Sequence, residues 1–234
     1  ISHLFTDNYH ILVADNGENG LKMARKHHPD LIISDVMMPV MDGITMARAL
    51  KEDLEISHLP VILLTARTAS LYKIEGLTVG ADDYITKPFD PEELRLRVKN
   101  ILAARKEARD KFARVLTFDP KSIDVTSADE VFLSKAMELV ESNIGNYEYN
   151  VDQFAFDLAV SRPLLFIKLK ALTDQTPNNF IKTIRLKRAA QLLLLHKLNV
   201  SEVAYKVGFK DPKYFRKCFQ EQFNVTPSDY ANQA

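Results

Sequence analysis

Three polar residues stand at the ends of short apolar runs, and their types suit one chemistry. Asp35 follows Leu31-Ile32-Ile33-Ser34, Thr65 follows Val61-Ile62-Leu63-Leu64, and Lys87 follows Tyr84-Ile85-Thr86. A carboxylate nucleophile, a hydroxyl donor and an ammonium together serve phosphoryl transfer. The carboxylate attacks, while the hydroxyl and the cation stabilise charge on the equatorial oxygens. A hard divalent cation would offset the remaining charge. Taken singly, an aspartate after a buried strand serves equally well as a turn residue or helix cap, so the three count only if neighbouring elements bring their ends together.

Such elements are legible between residues 10 and 104. Segments 11–14, 31–34, 60–65 and 83–86 read as strands, separated by helical patterns over 17–27, 42–53 and 70–79. The second and third strands are apolar on both faces, which points to a parallel sheet covered on both sides. In open parallel sheets ligands bind outside the carboxyl ends of the strands, where Asp35, Thr65 and Lys87 would stand. A helix opens at Pro91 with Leu94, Val98, Ile101 and Leu102 on one stripe and runs on through 103–114. Pro120 and several Ser and Thr residues mark 117–128 as a linker.

Beyond Asp129 the strand pattern stops, and helices are predicted over 130–143, 151–159, 162–172, 178–195, 201–207, 212–223 and 227–231. Ser161 and Asp211 suit N-caps, Pro212 suits a first helical position, and Pro177 and Pro227 follow threonine in the same way. Phe154-Ala155…Leu158, a turn and helix 162–172 are repeated weakly as Val203-Ala204…Val207, a turn and helix 212–223. Two helix-turn-helix units joined by one long helix would read this way.

The net charge of zero conceals blocks: residues 1–104 carry 11 basic and 15 acidic groups, 105–128 carry 6 and 4, 129–159 carry 1 and 7, and 160–217 carry 13 and 3. A strongly basic block in a neutral chain points to a polyanion-binding module, although charge alone leaves a solvated face open. On a helical wheel, 162–172 buries Leu165, Leu169 and Leu172 and turns Pro163, Phe166, Ile167 and Lys170 outward. Helix 212–223 buries Phe215, Cys218, Phe219 and Gln222 and turns Lys213, Arg216, Lys217 and Gln220 outward. The second face can pair with guanine edges, phosphates and adenine, whereas the first suits thymine methyls or backbone fit unless Arg162 adds a polar contact. Lys168, Lys182, Arg185, Lys187 and Arg188 are the expected phosphate anchors. No apolar run is long enough to cross a bilayer, and the single cysteine, Cys218, reads as a buried thiol in a reducing compartment. No G-x-x-x-x-G-K-[ST] loop, H-E-x-x-H pair or Cys/His cluster with ligand spacing points to an enzyme.

The spelling at the strand ends is specific. Asp35-Val36-Met37-Met38-Pro39, Leu64-Thr65-Ala66, Gly80-Ala81-Asp82-Asp83-Tyr84 and Thr86-Lys87-Pro88-Phe89 closely resemble the receiver domain of two-component response regulators. The resemblance implies a flavodoxin-like α/β fold and phosphorylation of Asp35 by a histidine kinase. Thr65 and Lys87 would contact the phosphoryl group and Tyr84 would be the aromatic switch. Mg2+ would be bound by Asp35 and the backbone carbonyl of Met37, and the Lys87-Pro88 bond is often cis in the family. Receivers place a first strand and an acidic metal-binding pair ahead of the first helix, and Ile1-Ser2-His3-Leu4-Phe5 resembles the end of that helix. The expectation is a piece of a longer chain, with strand 1 of the 2-1-3-4-5 order and the acidic Mg2+ ligands absent.

Val203-Ala204…Val207-Gly208-Phe209…Asp211…Tyr214-Phe215…Phe219…Thr226-Pro227…Tyr230 closely resembles the AraC/XylS-type DNA-binding domain, and Ser161-Arg162-Pro163-Leu164-Leu165 with Ile184-Arg185-Leu186…Ala189 matches its first half. This all-α domain places its two recognition helices in successive major grooves. Ile167 stands where arginine is frequent, and Ala159 and Asp174 stand where glycine is common. Together the resemblances imply a receiver at 1–104, a helical extension and linker at 105–128 and a DNA-binding domain at 129–234, as at the end of hybrid two-component regulators of gut Bacteroidetes. Such a chain would be a phosphorylation-regulated transcription factor for carbohydrate-utilisation genes. It would not itself be an enzyme, would dimerise when active and would bind double-stranded DNA. Its own segment would be cytoplasmic and make no membrane contact, while its parent would carry a histidine kinase and an inner-membrane anchor. The alternative is a receiver-based interaction or phosphate-sink module without DNA readout.

Overall fold

The strand Val-Ile-Leu-Leu-Thr-Ala sends alternate side chains into two opposite cores, as the two-residue period of an extended chain requires. The computed structural model describes residues 2–66, 80–114 and 127–232. It divides into two compact units, the first built mainly from residues up to Glu107 and the second mainly from Glu130 onward.

In the first unit, β1 (Ile32–Asp35), β2 (Val61–Ala66) and β3 (Asp83–Lys87) form a parallel sheet in the order β1-β2-β3. Val61 and Leu63 pack with Leu21 and Ala24 of α1 (Gly17–His27) and with Ile44, Ala47 and Leu50 of α2 (Gly43–Glu52). Ile62, Leu64 and Ile85 pack on the other face with Leu94 and Val98 of α3 (Pro91–Arg114). The Asn16 and Asp42 side chains cap the first turns of α1 and α2 by accepting from the Asn19 and Thr45 N–H groups. The Lys87-Pro88 bond is cis.

One expected element differs. Segment 11–14 joins no ladder, and Leu12 and Val13 are exposed. In the implied strand order that segment pairs with the first strand and not with β1. No strand among the described residues takes that place, so its backbone has no ladder to join; Ile11 only leans on the α3-side core. The helix expected at 70–79 lies outside the described residues, as does the linker expected at 117–128 apart from Ser127 and Ala128, which open a helix.

The second unit is helical throughout its described residues: α4 (Ser127–Ser142), α5 (Val151–Asp157), α6 (Arg162–Thr173), α7 (Pro177–Leu194), α8 (Val200–Lys206), α9 (Pro212–Phe223) and α10 (Pro227–Ala231). Ser161, Thr176, Asp211 and Thr226 cap α6, α7, α9 and α10, each followed by proline near the first turn. Asn150 and Asn199 close full capping boxes on α5 and α8. The long α7 is the common wall. Phe180 stacks on Phe154 of α5 at 6.0 Å between ring centroids, while Leu186, Ala189, Ala190 and Leu193 pack against Val203, Ala204, Phe215 and Phe219.

The turn between α5 and α6 runs through Ala159 at φ 56°, and the one between α8 and α9 through Gly208 at φ 79°. An alanine pays for this left-handed conformation in strain, whereas glycine does not. Gly208 is also hemmed in: a Cβ there would lie 2.6 Å from the Ile144 carbonyl oxygen and 3.0 Å from the Arg185 guanidinium carbon. Gly208→Ala should therefore destabilise the helical unit by about 1–3 kcal/mol, read as a lowered urea midpoint of the far-ultraviolet circular dichroism transition, whereas Ala159→Gly should leave it equal or higher.

Candidate phosphoacceptor site and nucleic-acid interface

The parallel register sets Asp35 opposite Leu64, Thr65 opposite Thr86 and Ala66 opposite Lys87. Three adjacent strands thus end on the same side of the sheet, and Asp35 and Lys87 meet there. Lys87 Nζ donates to Asp35 Oδ2, and the Met37 backbone N–H donates to Oδ1 at 3.2 Å. The Asp35 and Lys87 side chains are 39% and 38% exposed, so solvent reaches the carboxylate. Behind it the chain is packed tightly. Ser34 Oγ donates to the Asp35 carbonyl at 3.0 Å, and a Cβ on Gly43 would lie 2.1 Å from that same oxygen, so only glycine lets α2 start there.

Thr65, next to last in β2, is buried, its hydroxyl donating to the Ala66 carbonyl at 3.4 Å. Tyr84 lies half-buried against the α1–α2 core, and its hydroxyl has no hydrogen-bond partner among the described residues. Burial first, and then the Asp82 charge, push its phenol up to about 12, so it is a neutral ring at physiological pH. The neighbouring acids, quoted above only as spelling, turn out to brace β3. Asp82 accepts from Lys51 Nζ and the Val61 N–H, both at 2.9 Å, and Asp83 accepts from Arg97 at 2.8 Å. No sequence signal separates them from solvated acids, because both partners lie on other elements.

Mg2+ takes about six oxygens in near-octahedral geometry. Asp35 offers one carboxylate and Met37 a carbonyl, and no cluster of three or more acidic, histidine or cysteine residues gathers among the described residues. These donors alone do not make up a magnesium site.

In the second unit the two recognition-type helices present different surfaces. On α6, Leu165, Leu169 and Leu172 are buried, Pro163 is exposed, and Phe166 and Ile167 are half-buried. Arg162 Nη1 pairs with Asp152 Oδ1 at 3.0 Å, and Lys170 pairs with Asp174 at 2.6 Å. On α9, Phe215, Cys218 and Phe219 are buried and Gln222 is half-buried, while Lys213, Arg216, Lys217 and Gln220 are exposed. Lys217 lies 4.0 Å from Glu221.

The long helix corrects the expected phosphate anchors. Arg188 is exposed, donating to Gln191 at 2.8 Å, and Lys182 is half-buried. Arg185 instead points inward, giving Nη1 to the Gly208 carbonyl at 3.2 Å and Nη2 to the Asn146 carbonyl. Lys168 and Lys187 are 0% and 5% exposed, and burial pushes the Lys187 amine down to about 8. The cause is packing: α6 and α8–α10 cover most of the α7 surface, so Arg185 and Lys187 are drawn into their own fold, and Lys168 is buried on α6.

Comparison with known proteins follows these two halves. Residues 1–99 match the response regulator receiver domain family and residues 154–233 a helix-turn-helix domain family. A protein named histidine kinase P4 from Formosa agariphila is 51% identical over 232 residues, which is 99% of this chain and 17% of that protein. The alkaline phosphatase synthesis transcriptional regulatory protein PhoP of Bacillus subtilis is 45% identical over 94 residues, 40% of this chain and 38% of the relative. Among solved structures, a signal receiver domain of a histidine kinase from Syntrophus aciditrophicus is 38% identical with a TM-score of 0.43, covering 45% of this chain and 80% of its own. The chain thus spans well under half the length of these two curated relatives. Among the described residues no helix is long and apolar enough to cross a membrane. The chain thus joins a segment of the response regulator receiver domain family to a segment of a helix-turn-helix domain family.

Proposed function

We propose that this chain is the output end of a hybrid two-component regulator, a transcription factor whose DNA binding is governed by phosphorylation of Asp35. The observation that carries the reading is the solvent-reachable Asp35 carboxylate held by Lys87, in one chain with two helix-turn-helix units. In the transfer, an Asp35 carboxylate oxygen attacks the phosphorus of a phosphohistidine. The O–P bond forms as the N–P bond breaks, and the imidazole, already protonated on its other ring nitrogen, leaves as a neutral ring. Lys87 stays beside the new acyl phosphate to neutralise its oxygens, Thr65 supplies a hydroxyl when β2's end opens, and Tyr84 repacks in response.

The working divisions are a receiver at 1–104, a helical extension and linker at 105–128 and a DNA-binding domain at 129–234. The donor is a histidine kinase domain within the longer parent polypeptide, a reading supported by the name of the Formosa relative. The parent is anchored in the inner membrane and this segment lies in the cytoplasm. Phosphorylation favours a homodimer that sets two helix-turn-helix domains on repeated half-sites in double-stranded DNA near carbohydrate-utilisation genes. On that DNA, α9 reads bases through Lys213, Arg216, Lys217 and Gln220. Helix α6 reads through Pro163, Phe166, Ile167 and Arg162, while Lys170 and Arg188 hold phosphates.

Incubating the chain with acetyl phosphate in magnesium buffer should add one phosphoryl group to the intact mass of the wild type and none to Asp35→Asn. An equal increment on both would place the acceptor elsewhere. Lys213→Ala and Arg216→Ala should each cost about 1–3 kcal/mol on the selected site and much less on random DNA; equal losses on every sequence, by fluorescence anisotropy, would make them phosphate contacts.

A further inference from the structure

The apolar face of α6 leaves open how the first unit distinguishes one base pair from another. Its one cation near the leading end, Arg162, is the first residue of the helix, directly after the Ser161 cap. In helix-turn-helix docking the leading residues of the recognition helix meet the base edges. Arg162 has a partner: Nη1 donates to Oδ1 of Asp152, which lies in the first turn of α5. Both side chains are exposed, at 57% and 73%, so the pair adds little to stability.

Its geometry matters more than its energy. A guanidinium has five N–H donors in a rigid fork, and this contact uses one nitrogen. The remaining edge keeps two parallel donors, the arrangement that pairs with O6 and N7 of guanine. Holding the fork in place beforehand removes part of the entropy lost when a long side chain is immobilised on DNA. The weak internal repeat sharpens the contrast: aligned through Phe154 and Val203, Asp152 corresponds to Ser201, and aligned through the caps Ser161 and Asp211, Arg162 corresponds to Pro212. The second unit therefore has no such pair and carries its cations along the exposed face of α9.

We infer that Asp152 is a specificity-positioning residue, bracing Arg162 so that the first helix-turn-helix unit reads one guanine at the edge of an otherwise apolar contact. The inference rests on the DNA-binding reading above. It carries a signature that a stabilising ion pair lacks, because Asp152 also places a negative charge beside the phosphates. Removing it should raise affinity for random DNA through electrostatics, while lowering the preference for guanine at one position.

The test selects a binding site from a random library with the full chain, then replaces each G·C pair in that site singly. At one pair, Arg162→Ala should reduce the wild-type preference about tenfold or more, the discrimination that a bidentate contact carries. At the same pair, Asp152→Ala and Asp152→Asn should reduce it about threefold or more, with random-sequence affinity unchanged or higher and circular dichroism unaltered. Substituting 7-deazaguanine there should remove the difference between wild type and the Asp152 variants. If the Asp152 variants bind every sequence more tightly with the preference intact, Asp152 is only a repelling charge and the inference fails. If they lose affinity on all sequences alike, it is a structural contact and the inference fails. Failure to select any site would overturn the DNA-binding reading itself.

Discussion

The contact between Lys87 and Asp35 spans two strand positions, and it depends on the strand that runs between them. Asp35 ends β1 and Lys87 ends β3; neither strand touches the other, and both take their register from β2. That register holds because β2 is buried on both faces, with Val61 and Leu63 facing α1 and α2 and Ile62 and Leu64 facing α3. A slip of one residue would exchange these two sets and carry Asp35 or Lys87 away from its partner. The chemistry at the sheet edge is thus fixed by apolar packing several residues away. Gly43 enforces the same position from the other side, since any Cβ would strike the Asp35 carbonyl.

A parallel logic governs the helical unit. Helix α7 packs against α6 and α8–α10, and Arg185 gives its guanidinium to carbonyls at Gly208 and Asn146. These contacts fix the turn that aims α9. The burial that does this also draws in Lys168 and Lys187, while the basic residues of α9, with Arg162, Lys170 and Arg188, stay exposed. The two recognition helices consequently differ in kind: α6 shows an apolar face whose leading arginine is braced, and α9 a face of cations and an amide.

Much of this was legible in the residues. Asp42, Ser161, Thr176, Asp211 and Thr226 mark their helix starts by local rules that act within one turn. The wheel of α9 separates buried from exposed faces because that helix is amphipathic; on α6 it finds the buried leucines, but the other face is apolar too, Phe166 and Ile167 are half-buried and Lys168 is buried. The strand end residues carry their chemistry openly in Asp35, Thr65 and Lys87. What escaped depends on distant partners. Segment 11–14 has the composition of a strand, but a ladder requires a neighbour, and none among the described residues stands beside it. Arg185 looks like a solvated cation in sequence because its partners, the Gly208 and Asn146 carbonyls, lie far away along the chain, and Asp82 and Asp83 meet their partners through the tertiary fold alone. The Asp152–Arg162 pair joins two elements across a turn, a spacing that no helical period would single out.

The central claim is that the charge state of Asp35 governs DNA binding by the helical unit. Its most direct test is the affinity of the full chain for a selected site, by fluorescence anisotropy, before and after acetyl phosphate, with phosphorylation tracked by mass on the same samples. The account predicts that affinity rises in step with the phosphorylated fraction in the wild type and stays flat in Asp35→Asn. A chain that becomes fully phosphorylated at Asp35 with an unchanged binding curve would contradict it.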